Sequence, residues 1–227
     1  MYDRRVNEDV ATLRPAAFGR RNVKEIRDPI IEPMWRGERV LIEIARGRVT
    51  LRDEAGEEVE TEPIIVAQLE QSAGAESIVI DGYLTHQATQ SGEGLRFGAE
   101  APTASQMASQ MFLGRGLKSR TMRPIEELEA RRKQPDTPLA FVAIDLLALD
   151  GQWLFDIPLL ERKRLLESVL AEADRVRRSA YVRLPVDPWL ASWRALGFGE
   201  LAYKAANGRY QPGSRNDDWA IARIPPA

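Results

Sequence analysis

The sequence predicts an α+β fold built mainly from antiparallel sheets, on three observations. Leu139–Leu149 reads L-A-F-V-A-I-D-L-L-A-L, a near-continuous apolar run holding one carboxylate. Such a run is the pattern of a central strand buried on both faces. Arg39–Ile44 and Arg48–Arg52 are β-rich runs separated by Arg46-Gly47, which reads as a hairpin. Strands and helices are mixed without a regular βαβ rhythm, which argues against a doubly wound parallel sheet.

Taken in order, Met1–Asp28 is polar and Arg-rich with little periodicity, and is expected as an arm or loosely packed lead-in. The domain proper is expected over 29–227. After the hairpin, Asp53-Glu54-Ala55-Gly56 is a turn by its Asp and Gly content. Glu57–Glu62 is acidic and expected exposed. Pro63–Ser72 carries Ile64, Ile65, Ala67 and Leu69 between a proline start and a glycine stop at Gly74, the signature of a short helix. Ser77–Thr85 is a strand whose apolar run breaks at Asp81-Gly82. Gln87–Ala101 is a loop. Thr103 caps a helix with Met107, Ala108, Met111 and Phe112 at helical spacing, closed by Gly114. A basic loop to Arg123 and a charged helix over Ile125–Lys133 follow. Past the Asp150-Gly151 turn, Pro158–Ala173 is an amphipathic helix with Leu159, Leu165, Leu166, Val169 and Leu170 on its apolar side. Asp187-Pro188 opens another helix, with Trp189, Leu190, Trp193 and Leu196 inside. Glu200–Ala205 and Asp218–Ile224 are strands joined by the Gly/Pro/Asn-rich loop Asn207–Asp217.

Composition removes several classes of chemistry. The 227 residues include no cysteine and one histidine, His86, so disulfides, thiol catalysis and His-rich metal sites are excluded. Formal net charge is −2, without the basic excess usual for a dedicated nucleic-acid binder. Local clusters at Arg20-Arg21, Arg131-Arg132-Lys133 and Arg175–Arg178 are candidates for phosphate contact. The basic residues are mostly arginine, so an amine nucleophile has only Lys24, Lys118, Lys133, Lys163 and Lys204 to draw on. No apolar stretch of about 18 residues is present, so no membrane span is expected. With no secretory pattern at the start, a cytoplasmic location is expected.

The chemistry-bearing stretch is Glu32–Val40, E-P-M-W-R-G-E-R-V, a polar loop feeding the hairpin. Together with I-D-G-Y at Ile80–Tyr83, A-F-V-A-I-D-L-L-A-L-D-G followed by P-L-L-E-R over Ala140–Arg162, and K-A-A-N-G-R-Y-Q-P-G with D-D-W over Lys204–Trp219, it resembles the adenylation domain of ATP-dependent DNA ligases. Four segments agree in order and spacing, from about Pro29 to Pro225. The resemblance implies a ligase-type nucleotidyltransferase fold, with sheets flanked by helices. In that family a lysine attacks the ATP α-phosphate, forms lysyl-AMP and passes AMP to a DNA 5′-phosphate, which is nucleophilic catalysis by an amine. The chain stops at Ala227, where family ligases continue, so no C-terminal oligonucleotide-binding domain is expected.

Position by position, the resemblance breaks at the chemistry. Met34 stands at the nucleophilic lysine, and a thioether forms no phosphoramidate. Arg36 stands at the aspartate two places on, Tyr83 at the metal-associated glutamate, Gly199 at the fourth-motif glutamate, and Ile144 at the aromatic that would stack on adenine. Glu54 replaces a downstream arginine. Ile221 and Arg223 replace two lysines after Trp219. Glu32, Gly37, Arg39, Asp81, Asp145 and Lys204 are retained. The expected nucleotide-facing set is therefore Glu32, Trp35, Arg39, Asp81, Ile144 and Lys204, with no metal ligands. No side chain stands out as catalytic, and Lys204 is the one candidate.

This reading implies a degenerate ligase-like domain: weak ATP binding, Mg only if the protein is active, and a role as a DNA-repair accessory touching DNA or repair proteins. Two alternatives stand beside it. One is an active ligase or nucleotidyltransferase with altered groups. The other is a protein-interaction scaffold that binds no nucleotide.

Overall fold

A computed structural model describes residues 10–87 and 137–225. The expected Met107/Met111 helix, the basic loop after it, the charged helix with Arg131-Arg132-Lys133, and most of the Gln87–Ala101 loop lie outside the described residues.

The strands are β1 (Ala17–Phe18), β2 (Pro29–Pro33), β3 (Glu38–Ala45), β4 (Arg48–Arg52), β5 (Glu58–Val59), β6 (Ser77–Thr85), β7 (Ala140–Leu149), β8 (Gln152–Trp153), β9 (Val176–Arg178), β10 (Glu200–Ala205), β11 (Arg215–Asn216) and β12 (Trp219–Arg223). The helices are α1 (Pro63–Ser72), α2 (Leu159–Val169) and α3 (Asp187–Ala195). A seven-stranded sheet runs in the order β5-β4-β3-β6-β7-β8, with β9 also on β7, and a three-stranded sheet runs β12-β10-β2. All pairings in these two sheets are antiparallel except β7 with β9. The α+β architecture with mainly antiparallel sheets is the one that the sequence predicts.

Each large-sheet strand has two faces of different composition. The alternating residues Val40, Ile42, Ile44, Ile78, Ile80 and Leu84 pack under Ile65 and Leu69 of α1 and Leu166 of α2. This all-carbon layer follows from period-2 alternation on the strands meeting period-3.6 stripes on the helices. The hairpin turns at Arg46-Gly47, both at positive φ (53° and 73°), which suits a tight two-residue connection. β7 is buried along nearly its whole length.

Ser77–Thr85 is one continuous strand, as expected, and it runs through the apolar interruption at Asp81-Gly82 because Asp81 finds buried partners and Gly82 pairs with Val40 and Ala143. Several expectations need amendment. The helix begun at Pro158 ends at Val169, several residues short of Ala173, because Leu170 turns extended and bridges to Ala73. The acidic run includes the short strand β5, and the long C-terminal loop includes β11. From Val10 on, the lead-in is packed: Val10, Leu13 and Ala16 are buried against Leu41, Val79, Leu147 and Trp219. The packing shows no break at residue 28.

Candidate functional site

The link Met34–Gly37 leaves β2 of the small sheet and enters β3 of the large one, so it crosses between the two sheets. Gly37 is required there: its φ is +142° and a Cβ would collide with the carbonyl oxygen of Leu84. Met34 is half-buried, and its backbone N–H donates to the carbonyl of Glu200 at 2.9 Å, tying the link to β10. Trp35 turns aside. Its indole N–H donates to Ser179 Oγ at 2.9 Å, and its ring meets Phe198 edge-on at 4.8 Å. Arg36 is exposed, with Nη2 3.4 Å from where a Cβ on Gly199 would stand. The link is therefore a half-open lip, and Met34 sits on it outside the buried clusters.

Behind the lip lie three buried ionic groups. The first is Arg39–Asp81. Adjacent strands β3 and β6 place the two on one sheet face, since Arg39 lies across from Tyr83 and Asp81 across from Leu41. Arg39 donates twice to the carboxylate, Nε to Oδ1 at 3.0 Å and Nη2 to Oδ2 at 2.7 Å, and its Nη1 donates to the carbonyl of Ala16 at 2.8 Å. Tyr210 O–H adds a bond to Asp81 Oδ2 at 2.8 Å, and the same hydroxyl accepts from the N–H of Ala16. Burial would lower the Arg39 pKa, but Asp81 more than offsets it and holds the guanidinium charged. Burial and Asp81 push the Tyr210 phenol well up, so it stays a donor. Burial also pushes Tyr83 up to about 12, with Arg39 opposing.

The second group is Asp145–Arg162, both fully buried. Arg162 Nε and Nη2 reach the two carboxylate oxygens at 2.9 and 2.7 Å, and the N–H of Leu146 donates to Oδ1 at 2.9 Å. Asp81 and Asp145 are direct cross-strand partners. Like charges so placed repel, and each is neutralised by its own two-pronged arginine. Asp145 follows a β-bulge that leaves Ile144 without an opposite residue. Ile144 is itself buried and offers no ring for stacking.

The third group is Glu32 with two lysines. Lys204 Nζ lies 2.8 Å from Oε2, and Lys163 Nζ bonds Oε1. All three side chains are 2% exposed or less. Lys204 comes from β10 and stacks its ammonium 4.6 Å from the centre of the Trp219 ring. Lys163 comes from α2. Burial alone would raise Glu32, but the two ammoniums together hold its carboxyl below the ordinary value. Burial lowers the Lys163 pKa, and the nearby Lys204 charge adds to this while Glu32 opposes it. One carboxylate cannot fully compensate two ammoniums, so Lys163 yields its proton more readily than a free lysine.

The expected site residues therefore divide. Glu32, Arg39, Asp81 and Lys204 converge in the space between the sheets, but each polar head is committed to a protein partner. Trp35, Arg36 and Met34 line the lip, and Ile144 is packed away. Residues not foreseen as site members are Lys163, Arg162, Tyr210 and the backbone of Ala16. For the first two a sequence signal existed. The buried stripe of α2 is Leu159, Arg162, Lys163, Leu166, spacing i, i+3, i+4, i+7, with two cations in apolar positions. Of the other basic clusters, Arg175 and Arg178 donate to the carbonyls of Leu139 and Glu167, and Arg21 lies 4.0 Å from Asp218. His86 is an exposed residue facing the carbonyl of Thr137. Among the described residues no three Asp, Glu or His side chains gather as a metal ion would need. The residues present do not fit the ATP–metal complex that the resemblance implies. Glu32 is covered by two lysines, and the lip presents the guanidinium of Arg36.

Comparison with known proteins identifies the family and agrees with the fold. Residues 19–220 match the family described as ATP dependent DNA ligase domain. The multifunctional non-homologous end joining DNA repair protein LigD of Mycobacterium tuberculosis H37Rv is 28% identical over 190 residues, covering 83% of this chain and 20% of that protein. The corresponding protein of Mycobacterium bovis matches equally. This chain thus spans about a fifth of the length of those relatives. The crystal structure of the M. tuberculosis LigD ligase domain superposes with a TM-score of 0.60 at 25% identity, over 94% of this chain and 60% of that one. A mycobacterial DNA ligase D complexed with ATP and MES gives the same values. The helical and sheet framework is common to them, and no membrane-crossing helix occurs among the described residues.

Proposed function

Because the chain belongs to the ATP-dependent DNA ligase domain family, we propose that it is a non-catalytic member, an adenylation domain that has lost its amine nucleophile and acts as an accessory module in DNA repair. The observation that supports this reading is the capture of Glu32 by Lys163 and Lys204, behind a lip carrying Met34, the residue that the resemblance aligns with the nucleophile. A methyl thioether has no proton-bearing nitrogen with which to make a stable bond to phosphorus. A nucleotide entering the cleft would have to break a buried ion pair, which costs several kcal/mol. By the resemblance, Arg36 and Tyr83 replace carboxylates associated with metal and Gly199 replaces a further glutamate, so a lip carrying Arg36 favours anions over divalent cations. ATP binding is accordingly weak and does not depend on Mg. The repair setting and DNA as a partner rest on LigD, which carries DNA repair in its name.

The reading is tested by incubating the protein with α-labelled ATP and divalent metal, followed by denaturing electrophoresis and peptide mapping. No covalent label is expected. A label traced to a lysine would overturn it.

A further inference from the structure

A groove of about 430 Å³ lies between α1 and strands β4 and β5, elements that contribute nothing to the three ionic groups. Its floor is apolar, with Val49, Leu51, Val59 and Val66, and its rim carries Glu58, Glu60 and Glu70. That volume is in the range of sites that hold a small ligand or a few side chains. We propose that this groove docks an extended segment of a partner protein in which basic and apolar side chains alternate.

Three observations point to that occupant. First, the charge is mainly acidic: Glu58, Glu60 and Glu70 line the groove with one cation, Arg48. Asp53–Glu62 holds six carboxylates in ten residues. Arg52 pairs with Glu58 at 2.7 Å and Arg175 lies 3.6 Å from Glu62, but among the described residues Glu60 and Glu70 have no ion-pair partner. A solvated acidic face would account for the carboxylates alone but not for an open apolar floor beneath them. Second, β5 is the terminal strand of the large sheet, and among the described residues no strand pairs with its outer edge, which can accept another strand. An added strand would point alternate side chains down into the floor and up toward the rim, which is why the alternation matters. Third, Thr61 Oγ1 is a buried oxygen with no hydrogen-bond partner among the described residues, and Thr61 lines the same groove. A backbone N–H of an incoming strand would satisfy it. Ile64, 47% exposed at the start of α1, extends the apolar surface beside it.

The probe is a fluorescein-labelled peptide of alternating Lys and Val, read by anisotropy against a Lys/Ser peptide of equal charge. The Lys/Val peptide is expected to bind, and the Lys/Ser peptide to bind about tenfold more weakly, the scale of losing one well-seated anchor. The Glu60→Lys/Glu70→Lys variant reverses exposed charges and should lose binding. Ala67→Trp fills the groove from an exposed helix position and should lose it too, with thermal unfolding unchanged. Equal binding of the two peptides, no binding of either, or full binding by Ala67→Trp overturns the proposal. So does peptide displacement by duplex DNA, or a dimer in sedimentation that Ala67→Trp dissolves, which would assign the groove to a second copy of this chain. None of these readouts depends on the nucleotide cleft, so the two proposals fail separately.

Discussion

Ile80 and Asp81 are neighbours in β6, both fully buried, and they face opposite sides of the large sheet. On the helix side Ile80 joins a layer made only of carbon. On the small-sheet side Asp81 meets Arg39 and Tyr210, and beyond it stand Asp145 with Arg162 and Glu32 with Lys163 and Lys204. The carbon side tolerates exchange of one apolar residue for another, because the hydrophobic term is non-directional. The charged side does not, because each ion is held in the protein by a named counter-ion. The ion pairs give Glu32, Arg39, Asp81 and Lys204 a structural role in the fold. Their presence in the sequence is not by itself a sign of catalysis.

The contrast is broken most severely at Arg162. Arg162→Met leaves Asp145 buried without a counter-ion and should cost about 3–5 kcal/mol, read by urea unfolding. Adding Asp145→Leu should restore most of the loss. If the single change costs no more than an ordinary core substitution, the carboxylate is not ionic in the native state and the distinction between the two faces fails. On the carbon side, Ile80→Val removes one buried methyl group from the α1–α2 layer and should cost about 0.5–1.5 kcal/mol. A loss as large as that at Arg162 would mean that the apolar layer is as unforgiving as the ionic one.

The framework was legible because its signals are local. The apolar run Ala140–Leu149, the Arg46-Gly47 turn and the Pro63 helix start each act through neighbours in sequence, and the elements came out where those signals put them. The cleft was legible only in part. Glu32, Arg39, Asp81 and Lys204 could be marked by resemblance, but their ionic partners lie from 42 residues away (Arg39 and Asp81) to 172 (Glu32 and Lys204, 204 − 32), beyond the reach of any periodicity. Two partners had announced themselves: Arg162 and Lys163 occupy the apolar stripe of α2, where a cation is expected only with a buried counter-ion. The polar composition of the lead-in predicts a loose segment. What fixes it is a backbone carbonyl at Ala16 taken by Arg39, and no side-chain pattern encodes that bond.

The smallest change should come at Lys163, and it is the sharpest test of the charged face. Two ammoniums share one carboxylate, so Lys163→Met leaves a balanced Glu32–Lys204 pair and should be neutral or slightly stabilising, whereas Glu32→Gln strands two cations and should cost about 3–5 kcal/mol. The pH dependence fixes the sign. Lys163 has a folded pKa below its ordinary 10.5, so between the two values the unfolded chain holds a proton that the folded chain has released. Stability then rises with pH across that interval. Glu32, with a folded pKa below 4.5, contributes stability that is present above that value and lost as pH falls through the folded one. Taken as the difference between wild type and Lys163→Met, other titrating groups cancel. The wild type should gain on the variant as pH climbs toward 10.5 and lose less at neutral pH than a true one-to-one ion pair would predict. A variant that is several kcal/mol less stable at pH 7 would mean that both lysines are needed to hold Glu32, and the surplus-charge account of the cluster would be wrong.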